Sequence, residues 1–386
     1  MTIKKFMTEG SSSSKNLRAA DLGLIFPGQS GVFNAITDVA GVTVGYKTIV
    51  EGEGRLVVGK GPIRTGITAI LPRPVSKIFN PVFAGLFSLN GNGELTGSHY
   101  IEEVGKFCLP ITMTNTHACG ITRDATIRWA EKRFPKRLEN SFLLPVSAET
   151  YDGFLNDING THITAKYVEQ AIDEAVSGEI EEGSVGGGTG MKSFEFKSGS
   201  GTASRMVKYD DSEYTVGIFV QANFGSRTDL NVLGVPVGMH LSKPKMVCNS
   251  IEASSSSIIV IIATDAPLLP HQLKRLARRA TFGVGKTGGF ARHGSGDIFL
   301  AFSTGSDLKN AHKLGKVQTT QYIPDEDLDD FFEAVIQATE ESILNSLVSN
   351  KSMAGRDFNF VPKIPTDKLV EIVNQFHRLI RTESKI

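Results

Sequence analysis

The chain contains several short runs rich in Ile, Val, Thr and Phe, and these runs set the strongest limit on its fold. Five of them stand out, at residues 66–72, 108–115, 214–223, 257–265 and 297–305. Their length and their β-branched and aromatic content favour strands over helices. Because several runs are nearly continuous in apolar residues, both faces of these strands should be covered. The pattern therefore predicts sheets that lie inside the molecule, with other layers packed against them.

Helical patterns lie between and after these strands, at residues 122–134, 164–178, 265–280 and 325–350. Thr122 and Asp265 are the candidate N-caps of the first and third of these helices. The order of strands and helices is mixed and lacks the strict alternation of a doubly wound fold. We therefore expect an α/β protein in which helices lie outside two stacked sheets.

Charge and composition argue against several classes of protein. The 41 basic and 41 acidic residues balance, which disfavours a basic surface for nucleic acid. No apolar stretch approaches the roughly 20 residues that span a bilayer, and we interpret residues 1–18 as a flexible polar tail rather than a signal peptide. Three scattered cysteines are too few for a disulfide framework. We expect a cytoplasmic protein in which residues 19–386 form one domain.

Two glycine-rich segments match nucleotide-binding loops only in part. In 283–289, the residues Gly285, Lys286 and Thr287 fit the end of a phosphate-binding loop, but Ala280 stands where that motif needs its first glycine. The segment 183–193 fails the same test at its lysine. The eight histidines show no metal-binding pairing. We expect neither a metal nor a cofactor.

The stretch KMVCNSIEASSSSIIVIIATDAP (245–267) places Asn249 and Ser250 ahead of an apolar strand. A turn explains this pair too, since Asn and Ser favour turns. No Gly-x-Ser-x-Gly elbow occurs in the chain, so a serine hydrolase would need another base. A free α-amino group titrates at about 7.7 to 8.0 and can accept the proton of its own residue's hydroxyl. Ser250 would gain such a group only by cleavage after Asn249.

Nine motifs, in order over nearly the whole chain, carry a family resemblance. They are FNAITDVAGVTVGYKT (33–48), RTGITAILPR (64–73), NGNGELTG (90–97), TNTHACG (114–120), AETYDGFLND (148–157), GSVGGGTGM (183–191), VQANFGSRTDLNVLGVPVG (220–238), NSIEASSSSIIVIIATDAP (249–267) and HGSGDIFLAFSTG (293–305). Together they resemble the L-aminopeptidase/D-esterase and β-peptidyl aminopeptidase family of self-processing serine peptidases. The resemblance implies a four-layer αββα sandwich, similar to N-terminal-nucleophile hydrolases but differently connected. It also implies cleavage into an α chain, 1–249, and a β chain, 250–386, which assemble as oligomers, commonly tetramers of αβ units.

The resemblance also assigns roles to single residues. Ser250 matches the nucleophile, and the bond between Asn249 and Ser250 matches the cleavage site. Ser295 and Asp297 match the pair that hydrogen-bonds around the nucleophile and tunes it. Some relatives carry Glu at the position of Asp297, which keeps the carboxylate but changes its reach.

Tyr151 and Asn223 match the oxyanion stabilisers of the family. A phenol and an amide can both donate hydrogen bonds to the charge that develops on a carbonyl oxygen. An aminopeptidase also needs an anion to hold the substrate's ammonium group. Glu149, in the same motif as Tyr151, is our candidate for that anion, and Asp152 is the second choice. Either acid could instead stabilise a turn.

The sequence thus predicts a hydrolase that releases N-terminal α- or β-amino acids from short peptides, amides or esters through an acyl-enzyme on Ser250. Two alternatives stay open at this point. One is a nucleotide-binding protein built on the segment 283–289, and the other is a noncatalytic relative that folds without cutting itself.

Overall fold

The computed structural model of the protein describes residues 17–139, 142–242, 246, 256–306, 308 and 317–383. Asn249 and Ser250 therefore lie outside the described residues, as do residues 1–16 of the predicted tail. Nowhere in the described ranges is there a helix long and apolar enough to cross a membrane.

Strands and helices are numbered in chain order. The strands are β1 Thr43–Glu51, β2 Ile63–Leu71, β3 Val82–Gly91, β4 Lys106–Phe107, β5 Ile111–Asn115, β6 Val146–Thr150, β7 Lys192–Ser193, β8 Phe196–Lys197, β9 Ser200–Tyr209, β10 Ser212–Asn223, β11 Ser256–Thr264, β12 Ser295–Ser303, β13 Met353–Ala354 and β14 Phe360–Val361. The helices are α1 Ser98–Val104, α2 Cys119–Arg133, α3 Pro135–Leu138, α4 Ala165–Asp173, α5 Val237–His240, α6 Pro270–Lys286, α7 Asp329–Val348 and α8 Thr366–Glu383. Each of the five predicted strands overlaps a strand of the structure, namely β2, β5, β10, β11 and β12.

Two stacked sheets form the middle of the molecule. The first has the strand order β1-β2-β5-β6, and the second has the order β4-β3-β12-β11-β10-β9. Neighbouring strands are antiparallel except for two parallel pairs, β5 with β6 and β11 with β12. The two strands of each parallel pair start at the same end of the sheet. The residues that precede them therefore lie close together at that end.

Strand β11 shows why the apolar runs are continuous. Ile259 and Ile261 point into the core between the two sheets, whereas Ile258 and Val260 point into the core on the other face of the second sheet. Successive side chains on a strand alternate between its faces, so a strand covered on both sides is apolar throughout. All four of these side chains are fully buried.

The outer layers are helical. Helices α2 and α4 pack on the outer face of the first sheet, and α6 and α7 pack on the outer face of the second. The architecture is therefore the α/β, four-layer αββα sandwich that the sequence predicted.

Two predicted helix caps are wrong. Thr122 lies inside α2, which begins three residues earlier at Cys119, and its hydroxyl donates to the Cys119 carbonyl. Helix α6 begins at Pro270 rather than Asp265. Proline fits the first helical position because its missing N–H would have no partner there. The carboxylate of Asp265 instead accepts the backbone N–H of Thr215 at 2.7 Å.

The segment 283–289 does not form a phosphate-binding loop. It contains the last turn of α6, which ends at Lys286. A helix C-terminus presents carbonyl groups and partial negative charge, whereas phosphate needs a helix N-terminus. The ammonium group of Lys286 forms an ion pair with Glu340 on α7. Lys286 therefore joins two outer helices, and the geometry gives no support to a nucleotide site.

Candidate active site

Three strand ends of the second sheet bring the predicted site residues together. Asn223 is the last residue of β10, and it lies opposite Ser257 near the start of β11. Ser257 in turn lies beside Gly296 near the start of β12. This places Asn223 and the Ser295–Asp297 segment at the same end of the sheet, on either side of β11. Ser250 precedes the first residue of β11 by six positions (256 − 250 = 6).

Ser295 and Asp297 form a buried hydrogen-bonded pair. The Ser295 hydroxyl donates to Oδ1 of Asp297 at 2.7 Å, and its Oγ lies 3.4 Å from Oγ of Ser256. The backbone N–H of Ile258 also donates to the Asp297 carboxylate. Burial raises the pKa of Asp297, and the hydrogen bonds from Ser295 and Ile258 oppose that effect. No described residue donates to its other oxygen, Oδ2, which is buried.

The loop before Ser295 is held by two asparagines of the segment 90–97. The Asn90 amide donates to the Arg292 carbonyl, and the Asn92 amide donates to the Gly294 carbonyl, both at 2.8 Å. The Cα of Gly296 packs so closely on this segment that a Cβ would lie 2.3 Å from the Asn92 carbonyl oxygen. Only glycine fits there, so the spacing between Ser295 and Asp297 depends on Gly296.

The amide of Asn223 is fixed at both ends. Its Nδ2 donates to the backbone carbonyl of Tyr151 at 2.9 Å, and its Oδ1 accepts the backbone N–H of Lys192 at 3.1 Å. Asn223 is 4% exposed. An amide nitrogen carries two hydrogens, and no described residue accepts the second N–H of Asn223, which could therefore bind an oxyanion.

Tyr151 follows β6 directly and is half-buried. Its ring lies over the backbone of Gly153, where a Cβ would come within 2.4 Å of the Tyr151 hydroxyl. The first sheet therefore supplies Tyr151 and the second sheet supplies Asn223. Tyr151 and Asn223, the two predicted oxyanion stabilisers, therefore lie where the two sheets face each other.

Glu149 lies in β6 and points toward the same edge. Its Oε1 accepts the backbone N–H of Glu94 at 2.9 Å. Gly93 lies between Glu149 and the Ser295–Asp297 segment. A Cβ on Gly93 would be 3.3 Å from Oε1 of Glu149 and 3.4 Å from the Cα of Gly296. Burial raises the pKa of Glu149, whereas hydrogen bonds from the Thr116 side chain and the Glu94 backbone, together with the charge of His117, lower it.

Asp152 is placed differently from Glu149. Its side chain is fully buried, and Oδ1 accepts the amide of Asn156 at 3.0 Å within the same loop. Burial raises the pKa of Asp152 to about 7, although hydrogen bonds from the side chains of Thr65, Asn156 and Asn115 lower it. A carboxyl enclosed in this way shapes the loop that carries Tyr151.

Sequence reasoning missed the groups that orient the predicted residues. The N–H of Lys192 that holds Asn223 is a backbone group, and backbone groups leave no direct mark on a sequence. Asn90 and Asn92 lie in the motif NGNGELTG, which was recognised without a role for either residue. The described residues contain no cluster of three or more His, Cys, Asp or Glu side chains that could hold a metal ion.

Comparisons with known proteins show the family of this chain. The sequence profile of peptidase family S58 matches residues 34–361. The β-peptidyl aminopeptidase BapA of Sphingosinicella microcystinivorans is 45% identical over 98% of this chain and 97% of its own. BapA of Sphingosinicella xenopeptidilytica is 44% identical over 92% of this chain and 90% of its own.

Among solved structures, the L-aminopeptidase D-Ala-esterase/amidase of Ochrobactrum anthropi superimposes with a TM-score of 0.86 at 44% identity, over 94% of this chain and 99% of its own. That protein is described as a prototype of the serine aminopeptidases and as a new variant of the Ntn hydrolase fold. A β-aminopeptidase of a Burkholderia species superimposes with a TM-score of 0.84 at 42% identity, over 93% of this chain and 99% of its own.

Proposed function

Since this chain belongs to peptidase family S58 and is a serine aminopeptidase, we propose that it cuts itself between Asn249 and Ser250 and then uses the Ser250 hydroxyl as its nucleophile. One observation carries this proposal. Asn223, Ser295 and Asp297 lie at the same end of the second sheet, where the chain enters β11. Ser250 is six residues before β11, so the chain keeps it within a short distance of this end of the sheet.

The length of the tether supports the choice of Ser250. An extended chain spans at most about 3.3–3.6 Å per residue, so Ser250 lies within roughly 20 Å of Ser256. Ser256 itself lies 3.4 Å from Ser295, oxygen to oxygen. The chain before β11 is therefore long enough for Ser250 to reach the Ser295–Asp297 pair.

Self-cleavage would proceed through an ester. The Ser250 Oγ attacks the carbonyl carbon of Asn249 and loses its proton, and the resulting oxyanion is stabilised by Asn223 Nδ2 and the Tyr151 hydroxyl. The bond from that carbon to the Ser250 nitrogen then breaks, and the nitrogen takes up a proton. Water hydrolyses the ester, which leaves a carboxylate on Asn249 and a free hydroxyl and amine on Ser250.

Turnover of substrate would use the same oxyanion donors. The Ser250 α-amine accepts the proton of Oγ while Oγ attacks the substrate carbonyl, and the leaving amine or alcohol carries a proton away. Water then hydrolyses the acyl-enzyme. The buried carboxylate of Asp297, with no donor from the described residues on Oδ2, is suited to bind and orient that α-amine.

Glu149 would select substrates with a free amino group. Glu149 is 4% exposed and its Oε1 lies beside the Ser295–Asp297 segment, so a substrate ammonium ion bound there would hold the adjacent carbonyl close to that segment. The substrates are then short peptides, amides or esters of α- or β-amino acids. The names of the Sphingosinicella relatives favour β-peptidyl substrates.

The two chains should stay together after cleavage. The β chain would contribute β11 and β12 to the middle of the second sheet, with neighbours from the α chain on both sides. Burying each apolar side chain of such strands is worth about 1.5–3 kcal/mol. We further propose that αβ units assemble as tetramers in the cytoplasm, which light scattering and cell fractionation would test.

Intact mass and N-terminal sequencing test the proposal. The purified protein should contain chains of 249 and 137 residues (386 − 249 = 137), and the smaller chain should begin Ser-Ile-Glu-Ala. Ser250→Ala should give one intact, folded and inactive chain. A single uncut wild-type chain would instead indicate the noncatalytic alternative. Cleavage of Ser250→Ala after residue 249 would place the nucleophile elsewhere.

A further inference from the structure

Lys197 is a fully buried lysine whose ammonium group binds two backbone carbonyls. Its Nζ donates to the carbonyls of Met191 and Ser198, both at 2.6 Å. Neither partner is a carboxylate, and among the described residues only these two peptide carbonyls accept hydrogen bonds from the ammonium group. Burial lowers the pKa of Lys197 to about 7. Burying a lysine in this way is costly, and the mechanism described above does not use it.

The position of the Met191 carbonyl connects Lys197 with the active site. That carbonyl and the N–H of Lys192 belong to one peptide group, and this N–H donates to Oδ1 of Asn223. A continuous chain of hydrogen bonds therefore runs from the Lys197 ammonium through one backbone peptide to the Asn223 amide. The free N–H of that amide is the proposed oxyanion donor.

The hairpin of β7 and β8 carries Lys197, at one end of this chain of hydrogen bonds, and the N–H of Lys192 in its middle. The backbone N–H of Ser198 also donates to the Met191 carbonyl, at 3.2 Å, so two donors close the base of the hairpin. Further along, Phe194 N–H donates to the Phe224 carbonyl at 2.9 Å, next to Asn223. The hairpin is thus attached to the end of β10 on one side and closed by Lys197 on the other.

We propose that Lys197 is a positioning residue of the oxyanion hole, which holds the Met191–Lys192 peptide against Asn223 and polarises the Asn223 amide. This inference rests on the proposed role of Asn223. A cation at a carbonyl oxygen makes the N–H of the same peptide a stronger donor, and hydrogen bonds in a chain polarise one another. The effect reaches the Asn223 N–H that faces the developing charge.

Two variants of Lys197 separate position from charge. Lys197→Met removes both hydrogen bonds and the charge, whereas Lys197→Gln keeps an N–H donor without the charge. We expect Lys197→Met to lower kcat about tenfold or more with KM changed by less than about twofold, and Lys197→Gln to lie between it and wild type. If Lys197→Met fails to fold, Lys197→Gln takes its place in the cycle below.

A double-mutant cycle with Asn223→Ala decides the matter. The readout is the rate of self-cleavage after cell-free synthesis, because it needs no substrate binding. If Lys197 acts through Asn223, its substitution should slow cleavage in the wild-type background but by less than about twofold in the Asn223→Ala background. Full multiplication of the two effects would show a merely structural lysine and overturn the inference.

A buried cation elsewhere provides the matched control. Arg205 on β9 is 2% exposed and donates to the backbone carbonyls of Ser204 and Pro27; unlike Lys197, it also pairs with the Glu341 carboxylate at 2.7 Å, so the control variant carries Glu341→Gln beside Arg205→Met. Any effect of this control variant on cleavage should be the same with and without Asn223→Ala. If Asn223→Ala alone leaves cleavage unchanged, the proposed oxyanion role fails and the inference with it. If Asn223→Ala slows cleavage and only the coupling is missing, the proposed function stands without this inference.

Discussion

The side-chain amide of Asn223 donates a hydrogen bond to the backbone carbonyl of Tyr151 at 2.9 Å. Asn223 ends a strand of the second sheet, and Tyr151 directly follows a strand of the first. This one hydrogen bond therefore joins the two residues proposed to stabilise the oxyanion, through the backbone of Tyr151. The active site depends on how the sheets stack, in addition to the residues at their ends.

Replacement of Asn223 by Ala should slow self-cleavage and turnover together. Both reactions pass through a tetrahedral oxyanion, and loss of one such donor typically costs about 100- to 1,000-fold in rate. The KM of substrates should change little because the donor acts on the transition state. Self-cleavage is measured by intact mass over time. Turnover is measured by the ammonia released when the enzyme hydrolyses an amino acid amide.

Asn345→Ala is the control for this change. The Asn345 amide also donates to a backbone carbonyl, that of Thr202, and accepts a backbone N–H, that of Ala19, but it lies on α7. This variant should lose stability and keep kcat within about twofold. Equal loss of activity in both variants would mean that Asn223 acts through folding alone.

Glu149→Gln should weaken the binding of free-amine substrates and leave self-cleavage unchanged, because the Asn249–Ser250 bond presents no free amine. The Gln side chain keeps an oxygen to accept the Glu94 N–H but has no charge. We expect KM to rise about tenfold or more. Parallel loss of self-cleavage would indicate a structural acid.

The pH dependence of KM gives a second measurement on Glu149. Burial raises the pKa of its carboxyl above the ordinary value, so the carboxylate is lost at a higher pH than in an exposed glutamate. As pH falls through that raised pKa, the wild-type KM should climb. The KM of Glu149→Gln should stay flat over the same range. An identical climb in both proteins would assign the titration to another group.

Asp152→Asn should make the protein more stable at neutral and alkaline pH. The carboxyl pKa is about 7 in the folded chain and about 3.9 when unfolded. Between these values the folded state holds more protons, so wild-type stability falls as pH rises from about 4 to 7. The Tm difference between Asp152→Asn and wild type should therefore grow from pH 5 to pH 8, by at least about 2 °C.

The same Asp152 variant separates the two candidate ammonium sites. Since Asp152 is fully buried, its neutralisation should not change the KM of free-amine substrates. A rise in KM comparable with that of Glu149→Gln would make Asp152 the ammonium site after all.

The fold was largely predictable because burial on both faces leaves a clear pattern. Strand β11 is buried on both faces and is apolar at every position from Ile258 to Ala263, and the sequence shows it. Helix starts were less predictable. Asp265 has the side chain of an N-cap, but a backbone N–H from β10 binds it, and such a tertiary contact overrides local preference.

The site was predictable only where side chains carry the chemistry. The motifs gave predicted roles to Asn223, Ser295 and Asp297. In the structure these three residues lie at one end of the second sheet. Lys197 could not be found in this way, because a lysine next to polar residues normally indicates a surface. Its importance appears only when the Met191–Lys192 peptide is seen between it and Asn223.

The start of the folded body gives the last prediction. The sequence placed residues 1–18 in a tail, but Leu17 and Arg18 already form hydrogen bonds with the folded body. The Leu17 carbonyl accepts the Ser349 hydroxyl at 2.8 Å. Arg18 donates to the Thr202 carbonyl at 2.7 Å and forms an ion pair of the same length with Glu182. Deletion of residues 1–16 should therefore leave stability, self-cleavage and turnover unchanged. Replacement of Arg18, in contrast, should lower the stability of the protein.

Arg18→Met leaves the carboxylate of Glu182, 4% exposed, without its arginine. Stranding a buried charged partner costs about 1–3 kcal/mol or more, so the urea midpoint of unfolding should fall by a corresponding amount. Adding Glu182→Gln should restore part of that loss, because the double variant no longer buries a carboxylate that has lost its arginine. If deletion of 1–16 destabilises the protein as much as Arg18→Met, the tail packs on the body. If Glu182→Gln restores nothing, Arg18 acts through its backbone-carbonyl contacts instead of its charge.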